Sequence, residues 1–384
     1  MFKIFRFIFI FSFYFFSYKS FAQNDSTGLR ISVLTCAPGD ELYSTFGHSA
    51  IRIVDSMQHN DIVYNWGTFD FDTPNFYMKF ARGKLLYSLS AFYFTDFMQE
   101  YREDQRSVYE QVLNLSGKEK TAIYQAIQKN MQDSNRFYHY DFLFDNCTTR
   151  IRDILAKNTG SFNIASQLVP PGTTYRDLLY EYLDRGGEPW TKLGFDILLG
   201  SEADGTLNTS SAMFLPEYLM YGIDSAKGNG KMLVMQKGKV FEANVKKDVS
   251  YNYIPFILFI VLAAMVMLLS LSQNTKAKFA LKIFDSLLFY VTGLLGILIL
   301  FLWLFSDYTA YHNNWNVAWA LPTNFIAAFF ILKNPRRIRK YFLLVSLINI
   351  LLLLFWSAIP QQFDVALVPI VLLLSYRSYR LSVV

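Results

Sequence analysis

The chain has 384 residues, of which 52% are hydrophobic, 18% aromatic and only 17% charged. Soluble domains carry roughly 25% charged residues, so this composition excludes a disordered chain and argues against a wholly soluble one. The net charge of +5 is unevenly placed, at +3 over residues 1–22, −5 over 23–253 and +7 over 254–384. No basic nucleic-acid surface follows from that distribution, and two cysteines exclude a disulfide scaffold.

The first residues carry Lys3 and Arg6, then a charge-free run from Phe7 to Tyr18, then Ser20-Phe21-Ala22-Gln23. A basic start, a short apolar core and a small-x-small site predict a secretory signal over 1–22, cut after Ala22. The core is too short for a good membrane span.

Residues 23–250 read as one exported α+β domain. Ile31–Thr35, Ser49–Val54 and Asp61–Trp66 are β-branched or alternating and predict strands, the last two joined as a hairpin. Ser116-Gly-Lys-Glu119 is a capping box that opens a helix to about Asn130. Cys147–Lys157, capped by Asp145 or Asn146, and Thr173–Asp184 have helical apolar spacing. Met232–Gln236 predicts a late hairpin before the membrane.

Residues 251–384 predict an all-α membrane domain, with helices near 254–271, 284–305, 315–332, 341–358 and 361–376. With five crossings, all ten Lys and Arg of this region fall on one side. Arg377 and Arg380 follow the fifth helix in this reading, and the outer loops 306–314 and 359–364 hold no Lys or Arg. The positive-inside rule makes the basic side cytoplasmic. The expected location is the bacterial inner membrane, with the 23–250 domain in the periplasm.

The chemistry centres on His48 and Cys147. His48 opens the second strand in Phe46-Gly47-His48-Ser49-Ala50-Ile51-Arg52-Ile53, where Gly47 leaves one side of the ring open. Cys147 stands in Asp145-Asn146-Cys147-Thr148-Thr149-Arg150, at the first turn of a helix. A helix N-terminus favours thiolate, a strand-borne His can deprotonate the thiol, and a first-turn N–H can hold an oxyanion. The plain alternative is a buried hydrophobic Cys and a satisfied His. No His-Glu-x-x-His or Cys-x-x-Cys occurs, so no metal or other cofactor is expected.

Those two motifs, about 100 residues apart, resemble a circularly permuted papain-like (NlpC-type) thiol domain. Together with Leu34–His48 and Tyr64–Phe71, they resemble the Lnb family, the lipoprotein N-acyltransferases of Bacteroides-type bacteria. The resemblance is strong over about 31–220 and extends in architecture to the helical C-terminus. It implies His48 and Cys147 as the catalytic pair, in a periplasmic domain facing the membrane.

A third residue should orient the imidazole. Asn65 in Tyr64-Asn65-Trp66-Gly67 is the first choice, with Asp70 or Asp72 as alternatives. Cys36 is expected to pack beside the site; a Cys36–Cys147 disulfide would disable the nucleophile. Two polar tracts are candidate substrate-binding elements. Leu199–Thr206, with Asp204, resembles a segment of the family and is otherwise a turn. Asp307–Trp319, with His312, Asn314 and Asn316, carries more polarity than an aromatic belt needs. The expected partners are a membrane phospholipid as acyl donor and a lipoprotein as acceptor, with Cys147 carrying the acyl thioester between them. The alternatives are a thiol hydrolase of the same fold, either phospholipase or cell-wall amidase, and a non-enzymatic lipid-binding protein.

Overall fold

A computed structural model describes residues 27–160, 163–164, 167–244, 253–333 and 335–383. The signal expected over 1–22 lies outside these residues. The strands are β1 (Leu29–Cys36), β2 (His48–Asp55), β3 (Asn60–Thr68), β4 (Leu86–Tyr93), β5 (Val108–Leu113), β6 (Phe137–His139), β7 (Asn163–Ile164), β8 (Ala226–Gly228), β9 (Lys231–Met232) and β10 (Val234–Phe241). The helices before the membrane half are α1 (Phe76–Ala81), α2 (Phe94–Glu103), α3 (Gly117–Met131), α4 (Cys147–Thr159), α5 (Tyr175–Gly186), α6 (Pro189–Leu198), α7 (Thr209–Ala212) and α8 (Pro216–Ser225).

Seven strands form one antiparallel sheet in the order β10-β5-β1-β2-β3-β4-β6. Side chains alternate between its faces. Ile31, Val33, Ile51, Ile53, Tyr64 and Trp66 pack with Ile123 and Ile127 of α3, Ile151 and Leu155 of α4 and Leu219 of α8. Leu34, Cys36, Ala50 and Val63 pack with Phe97, Met98 and Tyr101 of α2 on the other face. Each fully buried Ile or Leu contributes about 1.5–3 kcal/mol, so the sheet is held from both sides. The predicted capping box forms: the Glu119 amide donates to the Ser116 hydroxyl, and the Ser116 amide donates to the Glu119 carboxylate at 2.7 Å.

The membrane half contains α9 (Ile254–Ser270), α10 (Thr275–Phe305), α11 (Asn324–Lys333), α12 (Arg339–Leu354) and α13 (Leu367–Val383). Among the described residues, α10 is long and apolar enough to cross a membrane; α9 and α11 are shorter apolar helices. Ile257, Leu268, Leu287, Leu298, Leu344 and Leu354 lie exposed along these helices. An outward apolar surface of that kind suits lipid.

Several boundaries differ from expectation: the second helix begins at Thr275 rather than 284 and the fifth at Leu367 rather than 361. The third helix begins at Asn324 rather than 315, because residues 315–323 form a short 3-10 turn and a connection packed tightly on α10. A Cβ on Gly293 would stand 2.1 Å from the Phe325 nitrogen, and one on Gly296 1.8 Å from the Ala320 carbonyl oxygen. Only glycine admits backbone so close. The fourth helix ends at Leu354. The fifth runs to Val383, so Arg377 and Arg380 lie on it rather than after it. Arg377 is buried and bidentate on Asp285 of α10 at 2.7 Å, with a third bond to Ser270 Oγ. That pairing keeps the end of α13 beside the Lys-bearing start of α10.

Candidate active site

Asn146 caps α4. Its side-chain oxygen accepts from the amides of Thr148 at 2.8 Å and Thr149 at 2.9 Å. Its side-chain nitrogen donates to the carbonyls of Phe142 and Phe214. This fully bonded cap fixes where the first turn begins and therefore where Cys147 stands. Asp145, the other capping choice, is bidentate on Arg150 instead. With the Thr148 and Thr149 amides on the Asn146 side chain and the Arg150 amide on the Asn146 carbonyl, the Cys147 amide is the first-turn donor with no hydrogen-bond partner among the described residues. It is the donor available to an oxyanion.

His48 begins β2 directly opposite Cys36 of β1. Gly47 is required by the backbone: its φ is +79°, and a Cβ there would meet the Cys36 carbonyl oxygen at 2.6 Å. The expected open side of the ring is thus a lesser reason for this glycine than its left-handed conformation. Gly67, at a bulge in β3 with φ +94°, lets the chain pass beside Cys147; a Cβ there would lie 3.4 Å from the Tyr140 ring and 3.8 Å from the Cys147 Cβ.

The Nε2 of His48 donates to Asn65 Oδ1 at 3.2 Å. Asn65 is buried on the neighbouring strand, and its own amide reaches the Val63 carbonyl. That leaves the other ring nitrogen for Cys147, whose thiol acts electrostatically on the imidazole. Asp70 instead caps the Asp72 amide, and no hydrogen bond to His48 from either aspartate exists among the described residues.

Burial opposes ionisation of Cys147, but the facing His48 charge outweighs it, helped by the Ser49 amide, and brings the thiol down to about 7. Burial likewise opposes the His48 cation, yet Cys147 and Asn65 raise the imidazole above its ordinary value. Each of the two groups thus favours the charged form of the other. Cys36 is free, buried and pushed up to about 12 by desolvation. It packs beside the site as expected, and neither cysteine is in a disulfide.

The remaining candidates lie elsewhere. Asp204 is bidentate on Arg176, which also binds Asp196 and the carbonyls of Leu199 and Gly200. Asn314 is fully buried and donates to the carbonyls of Ile197 and Leu198. Asn316, also buried, donates to the carbonyls of Asp196 and Ile197 and accepts from Trp319 Nε1. The His312 ring bonds the Ser306 carbonyl at 3.2 Å. The polar groups of Asp204, Asn314 and Asn316, expected to meet substrate, are thus engaged inside the protein. The two polar tracts instead meet each other. The Gly200 amide donates to the Ala310 carbonyl at 2.8 Å, the Ser201 amide to Asn313, and the Asn313 side chain to Glu202. They form the junction between the periplasmic and membrane halves.

Sequence reasoning missed the aromatic wall. Tyr87 stacks on Tyr140 at 4.5 Å, and Tyr140 borders Gly67 and Cys147. Tyr308 of the outer loop lies near enough to Tyr87 to act on its hydroxyl, so the membrane half reaches the site. The Tyr138-His139-Tyr140 run was the available signal.

Comparison with known proteins gives two matches in chain order. Residues 17–181 match the Lnb N-terminal periplasmic domain, and residues 246–384 match the Lnb transmembrane domain. No curated protein and no solved structure matches.

Proposed function

The chain belongs to the Lnb family, a membrane protein with a periplasmic domain and an acyltransferase-type role, and from that premise we propose the following reaction. Cys147 takes a fatty acyl group from a membrane phospholipid and gives it to the N-terminal amine of a diacylglyceryl-cysteine lipoprotein. The Cys147 thiolate attacks the ester carbonyl, the Cys147 amide stabilises the oxyanion, and the protonated His48 hands its proton to the departing lysophospholipid oxygen. An acyl-Cys147 thioester remains. The acceptor amine then attacks it, His48 takes the amine proton, and the thiolate leaves. Asn65 holds the ring for both steps.

The observation that carries this reading is the His48–Cys147–Asn65 arrangement, linked through Tyr140, Tyr87 and Tyr308 to the membrane half. A soluble wall-peptide amidase has no use for that link. The test incubates full-length protein in vesicles with labelled phospholipid and a diacylated lipopeptide. N-acylated peptide supports the proposal. Free fatty acid alone makes the protein a phospholipase, and neither product removes the acyl-transfer reading.

A further inference from the structure

The segment from Phe69 to Lys84 has no part in the chemistry above. Its rings form a chain: Phe80 faces Phe76 at 6.3 Å, Phe76 meets Phe69 at 5.8 Å and Phe71 at 4.9 Å, and Phe69 meets Tyr43 at 6.3 Å. At one end Phe69 packs on Tyr87 at 5.3 Å, one ring away from Tyr140 and the nucleophile. At the other end Phe80 lies edge-on to Tyr308, the Asp307 amide donates to the Arg82 carbonyl at 3.0 Å, and Arg82 Nε donates to the Phe305 carbonyl.

Phe305 is the last residue of the long apolar helix α10. The segment is therefore fastened at headgroup depth on the outer side. Phe71, Tyr77 and Met78 are 61, 82 and 53% exposed there, a contiguous apolar surface that water does not favour. Lys79 and Arg82 make no ion pair among the described residues, whereas Lys84 is paired with Asp307. The outer loops 306–314 and 359–364 hold no Lys or Arg, so cations at this level come from the periplasmic domain. Rings and cations together at headgroup depth match a phospholipid, with the rings among the acyl chains and the cations at the phosphate.

We propose that Phe69–Lys84 is the lipid-docking element: Phe71, Tyr77, Met78 and Phe80 enter the outer leaflet, Lys79 and Arg82 meet the phosphate, and the ring chain from Phe80 to Phe69 leads an acyl ester to Cys147. The steering of the donor rests on the acyl-transfer reading; the immersion does not.

Two measurements on the full-length protein in phosphatidylethanolamine–phosphatidylglycerol nanodiscs decide it. First, a nitroxide is placed on Tyr77→Cys in a Cys36→Ala, Cys147→Ala background. It should be relaxed by oxygen and shielded from a nickel chelate. A nitroxide open to nickel, or shielded from both reagents as at a contact with a second copy, overturns immersion. Second, Tyr77→Ser with Phe80→Ser should slow acyl-Cys147 formation from bilayer phospholipid about tenfold, or about 1.4 kcal/mol. Alkylation of Cys147 by iodoacetamide, which reads only the thiolate, should move less than about twofold. An unchanged acylation rate overturns the steering. A wild-type protein that forms no acyl-enzyme defeats the acyl-transfer reading and with it the steering, while the nitroxide still decides immersion.

Discussion

Asn316 donates its side-chain amide to the carbonyl oxygen of Asp196 at 2.9 Å, tying the outer loop of the membrane half to the last turn of α6. The neighbouring bonds repeat this link. Asn314 holds Ile197 and Leu198, Gln361 holds Leu199, and the Asp364 amide donates to the Asp196 carboxylate. These bonds fasten the periplasmic half to the membrane half.

Asn316→Ala should remove this tie and strand the buried Trp319 N–H. A buried donor left unpaired costs about 1–3 kcal/mol. The expected result is a lower unfolding midpoint and slower turnover of bilayer phospholipid. Alkylation of Cys147 in the folded protein should change little, since Asn316 touches neither His48 nor Cys147. Slowed alkylation in this variant would make Asn316 part of the reactive site.

The pH dependence follows from the lowered thiol. Iodoacetamide alkylation of Cys147 should rise with pH through about 7 and level off below the range of an ordinary thiol. His48→Ala removes the counter-charge and leaves the burial. The inflection should then move upward, past the ordinary thiol value, so that the rate at neutral pH falls. Cys147→Ala should take no label while folded, because burial pushes Cys36 up to about 12. A downward shift in His48→Ala would remove the ion pair from the mechanism.

Asn65 acts on turnover through His48. His48→Ala should cost about 10²–10⁴-fold, the usual contribution of a positioned general base. Asn65→Ala should cost less, since the proton acceptor remains and only its orientation is lost. Single-turnover acylation measured on both variants checks the order. Equal losses would mean that the ring does not stay near Cys147 without Asn65.

The first three strands, the capping box, the His48–Cys147 pair and its Asn65 partner were legible because each depends on local pattern. β4 was not. Tyr87 and Leu89 face the core, but Leu86, Phe92 and Tyr93 on the same strand are exposed, so the alternation is blurred. The start of the third membrane helix was misplaced because Trp315–Leu321 reads as an apolar run. What sets that backbone is its packing on Gly293 and Gly296, some 20 residues earlier in the chain. The Asp204 and Asn316 tracts looked like substrate walls because polarity beside a membrane suggests a ligand. Asp204 instead holds the Arg176 guanidinium, and Asn316 donates to a carbonyl 120 residues away, which no local spacing shows.

Gly47 ties this legibility to function. Gly47→Ala would force a Cβ to within 2.6 Å of the Cys36 carbonyl oxygen at φ +79°. The left-handed conformation alone costs a non-glycine residue about 1–2 kcal/mol, and the clash must also shift β1 or β2. Because His48 is the next residue, the variant should lose acylation activity and the low thiol inflection together. A Gly47→Ala protein with normal alkylation at neutral pH would show that the turn tolerates the side chain.

The last prediction concerns Arg377 and Asp285. They are buried and bidentate at 2.7 Å between α13 and α10, with Ser270 of α9 as a third partner. A charge in such a place is tolerated only while its partner is present. Arg377→Leu alone leaves the Asp285 carboxylate facing apolar helices and should cost about 3–5 kcal/mol. Arg377→Leu with Asp285→Leu removes both charges and should recover much of that loss. Thermal unfolding of the single and double variants in nanodiscs measures the coupling. Neither residue touches the periplasmic site, so alkylation of Cys147 in whichever variants fold should match the wild type. A double variant less stable than Arg377→Leu alone would mean that the pair's packing, rather than its mutual neutralisation, holds the three helices together.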